Sequence, residues 1–119
     1  MSQQSSHQPL PQISVAELAQ KLAEPDNSVQ LVDVREPWEV KTAQLNGFMN
    51  LPLSDYEEWS GDIHARLDSE KETLVLCHHG IRSAQMCQWL TLQGFTNVKN
   101  ITGGIAEYSN RVDSSVPKY

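Results

Sequence analysis

The chain has 119 residues, of which 39% are hydrophobic and 20% charged, a balance that suits one globular domain and excludes bulk disorder or a fibrous repeat. Asp and Glu outnumber Lys and Arg by 15 to 9, giving a formal charge of −6, and with no basic run the sequence predicts no nucleic-acid partner. Apolar runs of only a few residues, a polar start from Met1 to Gln8 and two cysteines ten residues apart predict no membrane span, no secretory signal and no disulfide scaffold, so the expected setting is a reducing cytoplasm.

Residues 1–12 are rich in Ser and Gln, with Pro9 and Pro11, and read as a mobile tail before a domain over 13–119. Ser14 and Glu17 form a capping box, and Val15, Leu18, Ala19 and Leu22 follow at helical spacing until the turn residues Pro25-Asp26-Asn27. Val29 to Val34 reads as a buried strand, and Pro37 suits the first turn of a helix to about Thr42. Asn46-Gly47 predicts a turn, Phe48 to Leu51 a short strand, and Asp55 to Leu67 one or two short helices whose Glu57-Glu58 pair faces solvent. Thr73 to Cys77 is the clearest strand. After a compact loop, a helix from Arg82 or Ser83 to Gln93 places Met86, Cys87, Trp89 and Leu90 on one apolar arc, with Gly94 at its C′ position. Asn97 to Ile101 reads as a strand, Gly103-Gly104 opens a last helix to about Val112, and Asp113 to Tyr119 is irregular. Short buried strands alternating with helices predict an α/β fold, a parallel sheet covered on both faces, with ligands at the carboxyl ends of the strands.

Cys77 stands at such an end. The loop after it must turn sharply into a helix, so its peptide N–H groups and the helix dipole can cradle an anion. Arg82 adds a permanent cation and Gly80 lets the backbone close around the sulfur. Together these favour the thiolate and make Cys77 the reactive sulfur, whereas Cys87, on the apolar arc, reads as core.

At these residues the sequence resembles the rhodanese-like sulfurtransferase family. Leu31 to Glu39 (LVDVREPWE) looks like its D-V-R-E-x-x-E motif and Gly47 to Leu53 (GFMNLPL) like its G-A-x-N-I-P-L segment. Cys77-His78-His79-Gly80-Ile81-Arg82-Ser83 looks like its active-site loop C-x-x-G-x-R-S, and Gly103-Gly104 like the start of G-G-x-x-x-W, with Tyr108 at the Trp position. Where many members have A-H-I-P-G-A, this chain has Gln44, Asn46 and Phe48 in place of His, Pro and the small residue.

The resemblance implies a rhodanese-like fold with a central parallel sheet of about five short strands, and sulfane-sulfur transfer through a Cys77 persulfide stabilised by the N–H groups of the loop from His78 to Ser83. The implied partners are a small donor such as thiosulfate, a thiol or cyanide acceptor, and a sulfur-carrier protein as a further candidate. Only four residues separate Cys77 from Arg82, one fewer than in phosphatases sharing the fold, which fits one sulfur better than a phosphoryl group. The alternative is a non-catalytic rhodanese-like binding or regulatory module, against which the presence of Cys77 counts.

Several roles stay open on the sequence. Arg82 either holds an anionic donor or points outward to a carboxylate. Asp33 and Arg35 read as a supporting ion-pair network that fixes the loops. His78 and His79 tune the pocket field, contact an acceptor or face solvent. Adjacent histidines poorly share one ion and no other group has ligand spacing, so no metal or cofactor is expected. Trp38, Trp59 and Trp89 read as core or rim.

Overall fold

The computed structural model describes residues 10–24 and 26–119. The Ser/Gln-rich start and Pro25 lie outside them. Five strands form one all-parallel sheet in the order β1-β5-β4-β2-β3: β1 Gln12–Ile13, β2 Val29–Asp33, β3 Met49–Asn50, β4 Glu72–Leu76 and β5 Val98–Ile101. Helices α1 Val15–Ala23, α2 Pro37–Thr42, α3 Tyr56–Trp59, α4 Ile63–Arg66 and α5 Ile81–Leu92 lie in the crossovers, and α6 Gly104–Arg111 follows β5.

The local signals account for most of these elements. Ser14 Oγ accepts from Glu17 N–H (3.1 Å) while the Glu17 carboxylate accepts from Ser14 N–H (2.9 Å), so both halves of the capping box form. Pro37 takes the first turn of α2, where a missing N–H costs nothing. Along β4 the side chains alternate. Val75 and Cys77 enter a core with Met86, Cys87 and Leu90 of α5, whereas Leu74 and Leu76 enter a second core with Leu18 of α1 and Ile105 and Tyr108 of α6. Both faces of the sheet are therefore dry, and each fully buried Leu contributes about 2 kcal/mol. Tyr108 lies in the second core, at the position where the family motif has Trp.

One expectation needs correction and two are sharpened. The tail expected over residues 1–12 ends earlier: Leu10 packs against the first core, Pro11 O accepts from Asn100 N–H (2.9 Å), and Gln12 already pairs with Asn100 in the sheet. Strand β1 has no sequence signal, because two residues carry no periodicity. The Asp55 to Leu67 region is four short turns, with 3-10 pieces at Leu53–Asp55 and Ser60–Asp62 alternating with α3 and α4. The segment from Asp113 onward has no regular structure, yet it is tied down: Ser109 Oγ–H donates to Val116 O (2.7 Å) and the chain returns to the carboxyl end of the sheet.

Candidate active site

The carboxyl ends of β2, β4 and β5 gather the loop from Cys77 to Ser83, Asp33 with Arg35, and Asn100. The loop is shaped by what holds its carbonyls. Cys77 O accepts from Ile105 N–H (2.9 Å) and His78 O from Ala106 N–H (3.0 Å), both at the start of α6. Gly80 O accepts from the Asn100 amide (3.0 Å). In a trans peptide N–H and C=O point opposite ways, so these three ties turn the N–H groups of His78, His79 and Ile81 to the other side of the loop. Gly80, at φ +99°, makes the reversal into α5, and its own N–H donates to Cys77 Sγ at 3.0 Å. The backbone of α6 comes so close that a Cβ on Gly104 would lie 2.4 Å from the carbonyl oxygens of both Cys77 and His78.

The sulfur is enclosed. Cys77 is 1% exposed, rather than facing an open crevice as its place at a strand end suggested, because the turn at Gly80 folds over it. Ser83, the residue expected to close the loop, lies with Oγ 3.3 Å from Sγ and donates its hydroxyl to Asn100 Oδ1. Cys87 sits in the first core, and burial, with a smaller contribution from Cys77, pushes its thiol up to about 12.

Arg82 points to a carboxylate. Its guanidinium donates to both oxygens of Glu39, at 2.7 and 2.9 Å. This pairing, outweighing burial and assisted by the Glu36 N–H and the Tyr119 hydroxyl, holds Glu39 down at about 2, and Arg82 in turn is raised. The positive charge expected beside the sulfur is thus largely neutralised. Ile81 is exposed at the mouth of the loop.

Behind this pair, Arg35 is the largest wholly buried side chain among the described residues. Its Nη2 donates to Asp33 (2.7 Å) and Ala43 O (2.8 Å), its Nε to Asp33 (3.0 Å), and its Nη1 to Tyr119 Oη (2.9 Å) and Glu39 O (3.3 Å). Burial acts to lower the Arg35 pKa, but Asp33 and Tyr119 raise it overall, so the guanidinium stays charged. Asp33 and Arg35 therefore form the ion-pair network anticipated for them. They join Glu39 and the end of the chain without touching the sulfur.

Tyr119 completes the rim. Its ring stacks on His78 (centroids 4.0 Å apart, 8° between planes), which stacks on the exposed His79 (3.9 Å), and Trp38, 61% exposed, meets Tyr119 edge-on. Burial first, then the electrostatic influence of the neighbouring His79, lowers the His78 pKa. Trp59 is core and Trp89 half-buried beside it, so the three tryptophans divide between core and rim. Among the described residues, no group of three or more His, Cys, Asp or Glu side chains is arranged to hold a metal ion.

Residues 14–111 match the rhodanese-like domain family. The chain belongs to the rhodanese-like family. It is 47% identical over 117 residues to a rhodanese-like/PpiC domain-containing chloroplastic protein of Arabidopsis thaliana, covering 97% of this chain and 39% of the relative, so it spans well under half of that protein. It is 35% identical over 94 residues to a putative sulfurtransferase of Bacillus subtilis, covering 79% of this chain and 85% of that one. The human single-domain sulfurtransferase structure superposes with a TM-score of 0.71 at 26% identity, covering 87% of this chain and 98% of that one. Within this rhodanese-like domain, four residues hold the site in ways that the sequence does not state. Glu39 and Gly104 lie in quoted family motifs, and Asn100 is a buried polar residue between Val98 and Ile101 of a short strand, where burial requires a partner. Tyr119 carries no such signal, because its role depends on where an irregular segment ends in space.

Proposed function

We propose that this rhodanese-like chain is a sulfurtransferase that carries sulfane sulfur on Cys77. The observation that carries the reading is the sulfur itself: Cys77 Sγ at the carboxyl end of β4, receiving the Gly80 N–H at 3.0 Å inside a loop whose Cys77, His78 and Gly80 carbonyls are tied away. Cys77, as thiolate, attacks the outer sulfur of a donor such as thiosulfate. A Cys77 S–S bond forms, the donor's S–S bond breaks, and sulfite leaves with the electron pair. The persulfide anion then gives its terminal sulfur to a nucleophile. With cyanide the product is thiocyanate and with a thiol it is a new persulfide, and Cys77 returns as thiolate in both cases.

The loop N–H groups from His78 to Ser83 supply fixed dipoles for the terminal sulfur, as an oxyanion hole does for oxygen. The Arg82–Glu39 pair fixes the start of α5, and Asp33 with Arg35 fixes α2 against the sheet. Thiosulfate is the simplest donor to test, and a thiol or a sulfur-carrier protein the acceptor class. Both free thiols fit a reducing compartment such as the cytoplasm.

The test is mass spectrometry of the intact chain after incubation with thiosulfate. The expected adduct is about 32 Da, one sulfur, on the wild type and absent from Cys77→Ser. Cyanide should remove it and release thiocyanate. No adduct with thiosulfate, 3-mercaptopyruvate or a low-molecular-weight persulfide would overturn the reading in favour of a non-catalytic binding module.

A further inference from the structure

The hydrogen bonds around Cys77 run in one direction, and the Asn100 amide sets it. Asn100 Nδ2 must donate to Gly80 O (3.0 Å), since a carbonyl only accepts. Oδ1 therefore faces Ser83 and can only accept, so the Ser83 hydroxyl donates to it. That hydroxyl has one hydrogen. Across the 3.3 Å gap to Cys77 Sγ, Ser83 Oγ is left with a lone pair, and the proton between them belongs to the thiol. The chain of donors is Cys77 S–H to Ser83 Oγ, Ser83 O–H to Asn100 Oδ1, and Asn100 N–H to Gly80 O, while the Gly80 N–H returns to Sγ. Such one-way rings reinforce each other.

We propose that Asn100 is a positioning residue that holds Ser83 as an acceptor for the resting thiol, and that Ser83 reverses to a donor only when the sulfur becomes charged. When Cys77 gives its proton to solvent, a Ser83 lone pair faces an anion. The hydroxyl then rotates to donate to sulfur, and Asn100 Oδ1, on a residue 5% exposed, loses its partner. Asn100 cannot turn over to compensate, because Gly80 O holds its other end. The amide thus resists ionisation at rest, and Ser83 is available as a second donor, beside the Gly80 N–H, to thiolate or persulfide. Removing the amide frees the hydroxyl to serve the charged sulfur without that loss.

Other charged and titratable groups lie at the same end of the sheet as the sulfur. From the loop and α5 these are His78, His79, Arg82 and Cys87; from the end of β2, Asp33 and Arg35; from α2, Glu39; from the C-terminal segment, Tyr119. All are retained in the variants compared below, and because Asn100 also holds Gly80 O, it is the comparison of Asn100 variants with and without the Ser83 hydroxyl that reports the Asn100–Ser83 link.

The experiment is the pH dependence of Cys77 alkylation by iodoacetamide, which needs no sulfur transfer and therefore stands or fails separately from the proposed function. Asn100→Ala should move the rate profile to lower pH by about one unit, so that alkylation well below the midpoint is about tenfold faster than in wild type. Asn100→Leu, closer in volume, should do the same. In a Ser83→Ala background, Asn100→Ala should move the profile no further, because no hydroxyl remains to be freed. An equal acid-ward shift with and without Ser83, or no shift in folded Asn100 variants, would overturn the proposal. Should neither Asn100 variant fold, the S–H stretching band decides. Taken as the difference spectrum against Cys77→Ser, it should lie at lower frequency in wild type than in Ser83→Ala, and an unchanged band would refute the thiol-to-serine bond.

Discussion

Gly104→Ala is the sharpest perturbation of the loop that leaves every catalytic side chain in place. At φ +63° an alanine meets the left-handed penalty of about 1–2 kcal/mol. Its Cβ would also stand 2.4 Å from two backbone oxygens, those of Cys77 and His78, neither of which can swing aside like a side chain. Relieving the contact separates α6 from the loop and weakens the Ile105 and Ala106 bonds to those same oxygens, at about 1 kcal/mol each. The sum is about 3–4 kcal/mol, a large share of a typical domain stability of about 5–15 kcal/mol. Gly94→Ala is the control, because Gly94 has φ +97° but open space around its would-be Cβ, so only the conformational cost of about 1–2 kcal/mol applies. Urea unfolding followed by circular dichroism gives both values. The folded Gly104 variant should also react with an aromatic disulfide reagent roughly tenfold faster, since about 1.4 kcal/mol less protection by the loop suffices for that. If the two variants are equally destabilised and Cys77 reacts as in wild type, the claim that α6 shapes the cradle is wrong.

Glu39→Gln should flatten the acid limb of stability. A carboxyl held near 2 stabilises the fold above its ordinary value of 4.5 and loses that contribution as pH falls toward 2, so wild type should lose on the order of 2 kcal/mol over that window, after allowing for solvent screening of the partly exposed Arg82, and the variant much less. Parallel acid titrations would contradict this. At pH 8, peptide mapping after limited iodoacetamide treatment should find the adduct on Cys77 and none on Cys87, whose thiol is pushed up to about 12; equal labelling in folded protein would count against the assignment. Tyr119→Phe keeps the stack on His78 but removes the hydroxyl between Arg35 and Glu39, and should cost about 1–2 kcal/mol in urea unfolding, whereas a neutral result would mean that the phenol bonds add nothing.

How much of this was legible in the sequence divides by range. The capping box at Ser14, Pro37 at the start of α2 and the apolar run of β4 are local signals, and each formed where the residues indicated. The cysteine loop was legible because its chemistry is contiguous. What stayed hidden is long-range. Glu39 and Arg82 lie in different motifs, and only the packing of α2 against the loop shows that one neutralises the other. Asn100 is a polar side chain in a four-residue strand, and its partners Gly80 and Ser83 lie at the far end of the crossover that leads into it. Tyr119 reaches the site through a segment with no periodicity to read.

The all-parallel order of the sheet has a consequence for how the thiol is first sheltered. No two neighbouring strands are joined by a hairpin, so every pairing waits for a crossover to close, which favours slow assembly. Cys77 is synthesised before Asn100, Gly104 and the start of α6, the groups that shape the wall around it. A nascent or refolding chain therefore carries a naked thiol until the segment from Asn100 through α6 has docked. The disappearance of rapid thiol labelling is a clock for the last stage of folding, and oxidants meeting the chain during that interval act on a sulfur that the finished fold encloses.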